Sequence, residues 1–288
     1  MKLEVINNIS EYLSIIKENR DKGNIWFRGQ KYTKYQLEPS LFRDKIDISI
    51  NEPYYKREKY LIKNANLSVK KFKEYIKKYR DCSGFDEIDY LYLMQHYGIP
   101  TRLLDFTKNE LIALYFSVSN YTQSKLKLED EIFDFTSSRS FTKHGSSVYC
   151  INPILINKES FSKSEIINLN EYNFESLKNI DFPICIDSNS IDERIKVQEG
   201  VFVYYGTMIH PVDYYSIFEK DITKIFIPNS IREEIKKELR SKYKISHLTM
   251  FPDMTGISME IIDEMDTEFR NIKLNTAANR VGGSSSIN

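Results

Sequence analysis

Residues 94–105 read Met-Gln-His-Tyr-Gly-Ile-Pro-Thr-Arg-Leu-Leu-Asp, and the rest of the chain is organised around them. An amide, an imidazole, a guanidinium and a carboxylate lie here between two apolar helical segments. Polar groups in such a place are satisfied internally or do chemistry. Upstream, residues 85–97 carry Asp86 near the start and Ile88, Leu91 and Tyr92 on one apolar face, which predicts a helix. Gly98 follows the cap, where a residue without Cβ enters left-handed backbone cheaply, and Pro100 stops continuation. Residues 101–106 are predicted to be extended. Thr107 is expected to open the next helix, with Glu110 returning the capping bond. Leu111, Ile112, Leu114, Tyr115, Phe116 and Val118 make that helix apolar almost all round, hence buried. Arg102 and Asp105 are thus expected close to the core, where an arginine requires a carboxylate or an anionic ligand.

The 288 residues bound one large domain or two small ones, able to bury most of their apolar surface without staples. Lys+Arg and Asp+Glu are both 41, so no global electrostatic pull toward nucleic acid follows. Cys82, Cys150 and Cys185 have neither metal spacing nor a disulfide framework, which points to a reducing, cytoplasmic setting. They also lack the basic neighbours that would activate a thiol. His96, His144, His210 and His247 show no paired helical spacing, and no metal site is expected. Charges at Lys2 and Glu4 argue against a signal peptide, and no apolar run approaches the roughly 20 residues of a membrane helix.

Around the central run, residues 9–20 are predicted helical, with Ile9, Leu13 and Ile16 on one face. Residues 25–30, Ile-Trp-Phe-Arg-Gly-Gln, form a strand with polar residues at its end. Arg28 followed by Gly29 places a cation where something can approach the backbone; the ordinary alternative is a turn with a salt-bridged arginine. Residues 53–80 form a long helix with Leu61, Ala65, Val69, Phe72, Ile76 and Tyr79 as its core stripe. Between Lys56 and Arg80 there are ten Lys/Arg against two Glu, with Tyr60 and Tyr75 interleaved. That face is either a solvated lysine surface or a site for nucleic acid or a protein partner. Compensating acid stands at Glu129-Asp130-Glu131 and along Glu260 to Glu268.

Residues 122–146 lack a sustained period and read as an exposed insertion. Residues 147–151, 183–187, 201–205 and 223–228 are predicted strands, and Gln198-Glu199-Gly200 stands at the mouth of the third. Ser230 with Glu233 is expected to cap a helix, residues 246–251 to be extended, and residues 257–269 to be the final helix. Residues 271–288 read as a flexible tail outside a single domain over 1–270.

Phe27-Arg28-Gly29 with Gln30 resembles the signature tripeptide of the FRG domain. The similarity continues through residues 38–43 (Glu-Pro-Ser-Leu-Phe-Arg), the whole 94–105 run, Asn109, Ala113-Leu114-Tyr115-Phe116, Gln198-Glu199-Gly200-Val201-Phe202, and Phe251-Pro252-Asp253 with Gly256. Order and spacing agree over roughly residues 7–265. Phe106 stands where the family often has Trp, and Glu110 where it usually has Pro. The expected fold is α+β, a curved mixed sheet flanked by helices. Beyond that, the Arg-Gly strand and the Gln-Glu strand start are similar to the Arg…Glu logic of ADP-ribosyltransferases, in which a strand-borne arginine holds the NAD phosphates and a later glutamate acts on the nicotinamide ribose. The Ser-Thr-Ser element of one transferase group has no clear counterpart.

On that resemblance Arg28 and Glu199 are the catalytic candidates. Gly29, Gln30, Gln95, His96, Thr101, Arg102, Asp105 and Gln198 are the substrate-binding ones. Arginine takes phosphate bidentately, and a carboxylate beside a ribose can stabilise an oxocarbenium-like centre. NAD is then a substrate and no resident cofactor is implied; the setting implied is bacterial defence or a toxin system. Two readings compete. In one the same arginines and carboxylates form a structural ion network inside a ligand- or partner-sensing module. In the other the chain is a nucleotide hydrolase or nuclease, whose metal-dependent form needs Asp105, Glu199 and Asp253 to cluster.

Overall fold

The computed structural model describes residues 1–43, 54–119, 127–137, 142, 144–168, 172, 177, 180–187 and 193–282. In chain order the elements are β1 (Lys2–Val5), α1 (Ile9–Asp21), β2 (Trp26–Gln30), α2 (Tyr54–Ile76), α3 (Glu87–His96), β3 (Leu103–Thr107) and α4 (Glu110–Val118). Then come α5 (Leu128–Ser137), β4 (Ser146–Ile151), α6 (Pro153–Phe161), β5 (Ile167–Asn168), β6 (Ile184–Asp187), α7 (Glu193–Val197) and β7 (Gly200–Tyr204). The chain finishes with α8 (Ser216–Glu219), β8 (Ile222–Ile227), α9 (Asn229–Ser241), α10 (His247–Met250) and α11 (Met254–Gly282).

The strands form one open mixed sheet of order β1-β8-β4-β2-β3-β7-β6-β5. Two pairs are parallel, β1 with β8 and β5 with β6; the others are antiparallel. Five of the pairings extend over three or more residues, but β2 and β3 share a single bridge, Phe27 opposite Thr107. Beyond it the two strands separate, and the sheet has a split at its middle.

The alternation of side chains explains the layers. On one half of one face, Phe27, Val148, Cys150, Ile225 and Ile227 pack against α1, α4 and α9 through Tyr12, Ile112, Ala113, Leu114, Ile235 and Leu239. On the other half of that face, Leu103, Phe202, Tyr204 and Ile186 meet α2 and α3 through Val69, Ile88, Leu91 and Met94. The opposite face carries Trp26, Leu104, Phe106, Tyr149, Val201, Val203 and Tyr205, covered by Leu37, Phe42, Val212 and Phe218. The boundary between the two helical groups falls at the same place as the split between β2 and β3.

The central run folds as its chemistry dictates. Asp86 caps α3 by accepting from the N–H groups of Ile88 and Asp89, and Asp89 returns the bond. At the other end the Gly98 N–H donates to Gln95 O and the Ile99 N–H to Met94 O, with Gly98 at φ +76°. That is a Schellman ending, and it turns the chain directly into β3.

Several local expectations are corrected. Thr107 belongs to β3, and α4 is capped by Asn109, which accepts from Leu111 and Ile112. Glu110 pairs with Arg20 instead of returning a capping bond. No side chain caps α9; Pro228 precedes it. Residues 247–250 are helical, with Ser246 and Thr249 forming a capping box, because local side-chain bonds outweigh a short apolar run. Part of the expected insertion is built into the fold: α5 stacks Phe135 on Phe226 and buries Glu131, which accepts from the Asn229 N–H and amide. Residues 122–126, 138–141 and 143 of that stretch lie outside the described residues. The final helix runs Met254–Gly282, longer at both ends than the expected 257–269; 283–288 lie outside the described residues. Three of the compensating acids are engaged with partners of their own, Glu260 and Glu264 with Arg240 and Asp263 with Lys236. No helix among the described residues is long and apolar enough to cross a membrane.

Candidate functional site

The split in the sheet opens into a cavity of about 410 Å³. Strand β2 contributes Arg28, Gly29 and Gln30, and β3 contributes Asp105, Phe106 and Thr107. The end of α3 adds Gln95 and His96, and α4 adds Phe116 with Ser119 just beyond it. Arg194 and Ile195 of α7, with Gln198, Gly200 and Phe202, close one side. Lys31, Tyr35 and Arg43 form the wall that follows β2.

The geometry at the centre follows from the split. Asp105 is 59% exposed although both neighbours on β3 are buried, because it lies on the face where the two helical groups part. Arg28 reaches across the opening: its Nη1 donates to the Asp105 carbonyl at 2.6 Å and stands 3.8 Å from Oδ2. Gln95 donates to Asp105 Oδ1 and accepts from the Thr101 hydroxyl, which also accepts from the Leu103 N–H. Thr101 therefore orients Gln95, and Gln95 orients Asp105, without Thr101 itself reaching the cavity.

Four buried polar atoms on the cavity wall have no hydrogen-bond partner among the described residues: Arg28 Nε, Arg43 Nε, Tyr92 Oη and Gln30 Oε1. A protein interior rarely leaves such groups unpaired without a ligand or water to take them. Burial brings the Arg28 guanidinium down to about 10; Asp105 opposes that shift and the nearby Arg43 adds to it. Among the described residues Arg28, Lys31, Arg43 and Arg194 share the lining with one carboxylate, Asp105. The wall is cationic, and desolvation strengthens its attraction for an anion.

Seven of the ten sequence-proposed site residues line the cavity: Arg28, Gly29, Gln30, Gln95, His96, Asp105 and Gln198. Gln198 is held from both sides, its amide donating to Met250 O and its carbonyl accepting from Thr107 Oγ1. Gly29 has a packing reason for its identity: a Cβ there would stand 1.9 Å from the Ala113 carbonyl oxygen, so α4 lies directly on the strand. Glu199 does not line the cavity. It is exposed, adopts left-handed backbone at φ +46°, and accepts from Asn109 Nδ2 at 2.8 Å. Thr101 and Arg102 lie beside a separate pocket of about 20 Å³ between α2 and α3. Arg102 is 5% exposed, stacks over Tyr204 at 4.6 Å, and burial brings it down to about 10, with Glu87 opposing.

Sequence reasoning missed Arg194, Tyr92, Tyr35 and the aromatic wall, which carry no local signal. Arg43 lies inside the 38–43 run already singled out, and its companion there, Glu38, supplies the carbonyl that one guanidinium nitrogen meets at 2.9 Å. Among the described residues no group of three His, Cys, Asp or Glu side chains could hold a metal ion. Cys150 and Cys185 are buried free thiols whose pKa burial pushes up, so neither is an activated nucleophile.

No curated protein and no solved structure matches the chain. The FRG domain profile matches residues 23–126, which span β2, α2, α3, β3 and α4 and so include Arg28, Arg43, Gln95 and Asp105. The motifs at 198–202 and 251–256 lie beyond the matched stretch. The strand that bears Phe-Arg-Gly and the helix-strand unit that bears Gln95 and Asp105 form the two sides of the split, and both lie within the stretch that is similar to the FRG domain.

Proposed function

We propose that the cavity binds a phosphorylated nucleotide of the NAD class and that Asp105 acts on its N-ribosidic bond. The observation that carries this reading is a set of buried donors without partners among the described residues, Arg28 Nε, Arg43 Nε and Tyr92 Oη, on a wall where the described residues supply four Lys/Arg and one carboxylate. Guanidinium groups suit phosphate oxygens, and the apolar surfaces of Phe106, Phe116 and Phe202 suit a ring. Asp105 is fixed by Gln95 and stays accessible, which fits a carboxylate that stabilises an oxocarbenium-like ribose. In that step the C1′–N bond breaks and nicotinamide leaves with the bonding pair. Water or an acceptor nucleophile then bonds to C1′ and its proton is released. The carboxylate role passes from Glu199 to Asp105 because Glu199 lies outside the cavity.

The test is NAD binding by calorimetry and nicotinamide release by chromatography, in wild type, Arg28→Ala and Asp105→Asn. Binding that depends on Arg28 and release that depends on Asp105 support the reading. Binding without release in any form leaves a ligand-sensing module in place of an enzyme. Neither binding nor release at millimolar NAD overturns the reading.

A further inference from the structure

The segment leaving β2 reads Lys31-Tyr32-Thr33-Lys34-Tyr35, alternating cations with aromatic rings. Its backbone is held from beneath at every second residue. Thr33 O accepts from the buried Lys224 Nζ at 2.7 Å, Tyr35 O from Tyr149 Oη at 3.0 Å, and Leu37 O from Tyr205 Oη. Asp213 ties this support together, accepting from the Leu37 N–H at 2.8 Å and from Tyr149 Oη at 3.2 Å. A loop pinned in this way presents its side chains in a fixed arrangement.

What it presents is a compact cluster of rings and cations. Tyr32 and Tyr35 meet edge to face at 5.5 Å. Lys31 and Lys34 lie over Tyr32 at 5.2 and 5.9 Å, and Arg43 lies over Tyr35 at 5.1 Å. Lys31, Tyr35 and Arg43 also line the cavity, so the cluster is continuous with it. An acidic peptide would use the cations and leave the rings idle, whereas a nucleic acid strand uses both. Bases stack on aromatic faces and phosphates follow the basic side chains. A duplex keeps its bases stacked inside and offers the rings nothing.

We infer that this rim binds single-stranded nucleic acid, with the strand passing over Tyr32 and Tyr35 at the mouth, its phosphates on Lys31 and Lys34, and Arg28 and Arg43 left to the nucleotide in the cavity. The inference names a macromolecular partner for the nucleotide site and rests on the phosphate-binding reading of that cavity. If the ribosyl transfer step operates, the strand's position at the mouth makes it the acceptor: an N–H or O–H nucleophile of the strand bonds to C1′ and releases its proton, while nicotinamide leaves with the bonding pair of the broken C1′–N bond.

The experiment is fluorescence anisotropy with labelled ten-nucleotide single-stranded DNA and RNA and the corresponding duplexes, alongside NAD calorimetry on the same protein. Tyr32→Ala/Lys34→Ala alters two rim residues outside the cavity lining. Lys63→Glu/Lys70→Glu alters the exposed basic face of α2. The expected result is binding of the single strand over the duplex, weakened roughly tenfold by the rim pair and unchanged by the α2 pair. The salt dependence should also fall by roughly one phosphate contact in the rim pair. Single-strand binding that ignores the rim pair, or that is lost only with the α2 pair, overturns the inference. So does the absence of oligonucleotide binding at about 100 μM, and NAD binding in that case leaves the nucleotide reading standing. Rim-dependent strand binding without any NAD binding supports the rim and removes NAD as the small ligand. Failure of both ligands removes both readings.

Discussion

Arg28 and Arg102 look alike in the sequence, each a cation beside apolar residues in a polar run, yet the fold treats them in opposite ways. Arg102 is enclosed between α2, α3 and the sheet, stacked on Tyr204 beside a pocket that holds no more than a water. Arg28 stands in the opening between β2 and β3, with a cavity of about 410 Å³ before it. Both guanidinium groups are brought down to about 10 by burial, so desolvation alone does not tell them apart. Volume and unpaired neighbours do. Arg28 shares its wall with other buried polar atoms that lack partners among the described residues, whereas the small pocket of Arg102 is lined by Glu87, Asn66 and Thr101 together with Ala65, Val69, Leu91 and Met94.

The comparison breaks most sharply at Gly29. Gly29→Ala places a methyl group 1.9 Å from the Ala113 carbonyl and must push α4 off β2, removing one wall of the cavity. A loss of about 3 kcal/mol or more in a urea unfolding curve is expected. Unchanged stability would mean that the strand–helix contact is looser than described. Arg28→Ala should lower nucleotide affinity on the order of 100-fold, measured by calorimetry, while the thermal midpoint stays near wild type.

Arg102→Ala should do the reverse. Its stacking on Tyr204 and its packing are lost, for about 2 kcal/mol of stability, and ligand affinity is retained. The cost is moderate because Glu87 keeps its pairing with Lys73 and no carboxylate is orphaned. Should Arg102→Ala lose ligand and keep its stability, the contrast between the two arginines would be reversed.

A smaller effect tests the support under the rim. Burial lowers Lys224 to about 7 from 10.5, while Asp213 opposes the shift. Between those values the unfolded chain holds a proton that the folded chain has released. This lysine therefore makes stability rise as pH goes from about 7 toward 10.5, with no further change below 7. The difference in thermal midpoint between wild type and Lys224→Met should drift across that window and be flat below it. The smallest effect belongs to Glu199→Gln. Turnover should stay within about twofold of wild type, because this side chain stands outside the cavity and its contact with Asn109 survives as an amide. Loss of turnover in Glu199→Gln with Asp105→Asn active would return the reacting carboxylate to the strand start.

Much of the local structure is legible in the residues. The α3 helix, its glycine ending, the buried α4 and most strands follow from periodicity and capping chemistry. Errors fell where two local signals compete, as at Thr107 and Asn109, or where a distant partner decides, as when Arg20 takes Glu110 and α5 docks through Phe135. The candidate site divides in the same manner. Arg28, Gln95 and Asp105 stand in runs whose polar content has no other local outlet. Arg194 sits on a short helix and Tyr92 in an apolar one, and neither differs from its neighbours until the fold brings it to the cavity.

By itself, then, the sequence determined the likeness of residues 23–126 to the FRG domain, most helices and strands, and a short set of polar residues that burial forces into pairs or chemistry. Only the tertiary structure decided that β2 and β3 part after one bridge, that Asp105 faces the opening and Glu199 does not, and that Arg102 belongs to the core. The reason is physical. Periodicity and capping act between residues a few positions apart, whereas a gap between two strands exists only through the packing of helices that are distant along the chain.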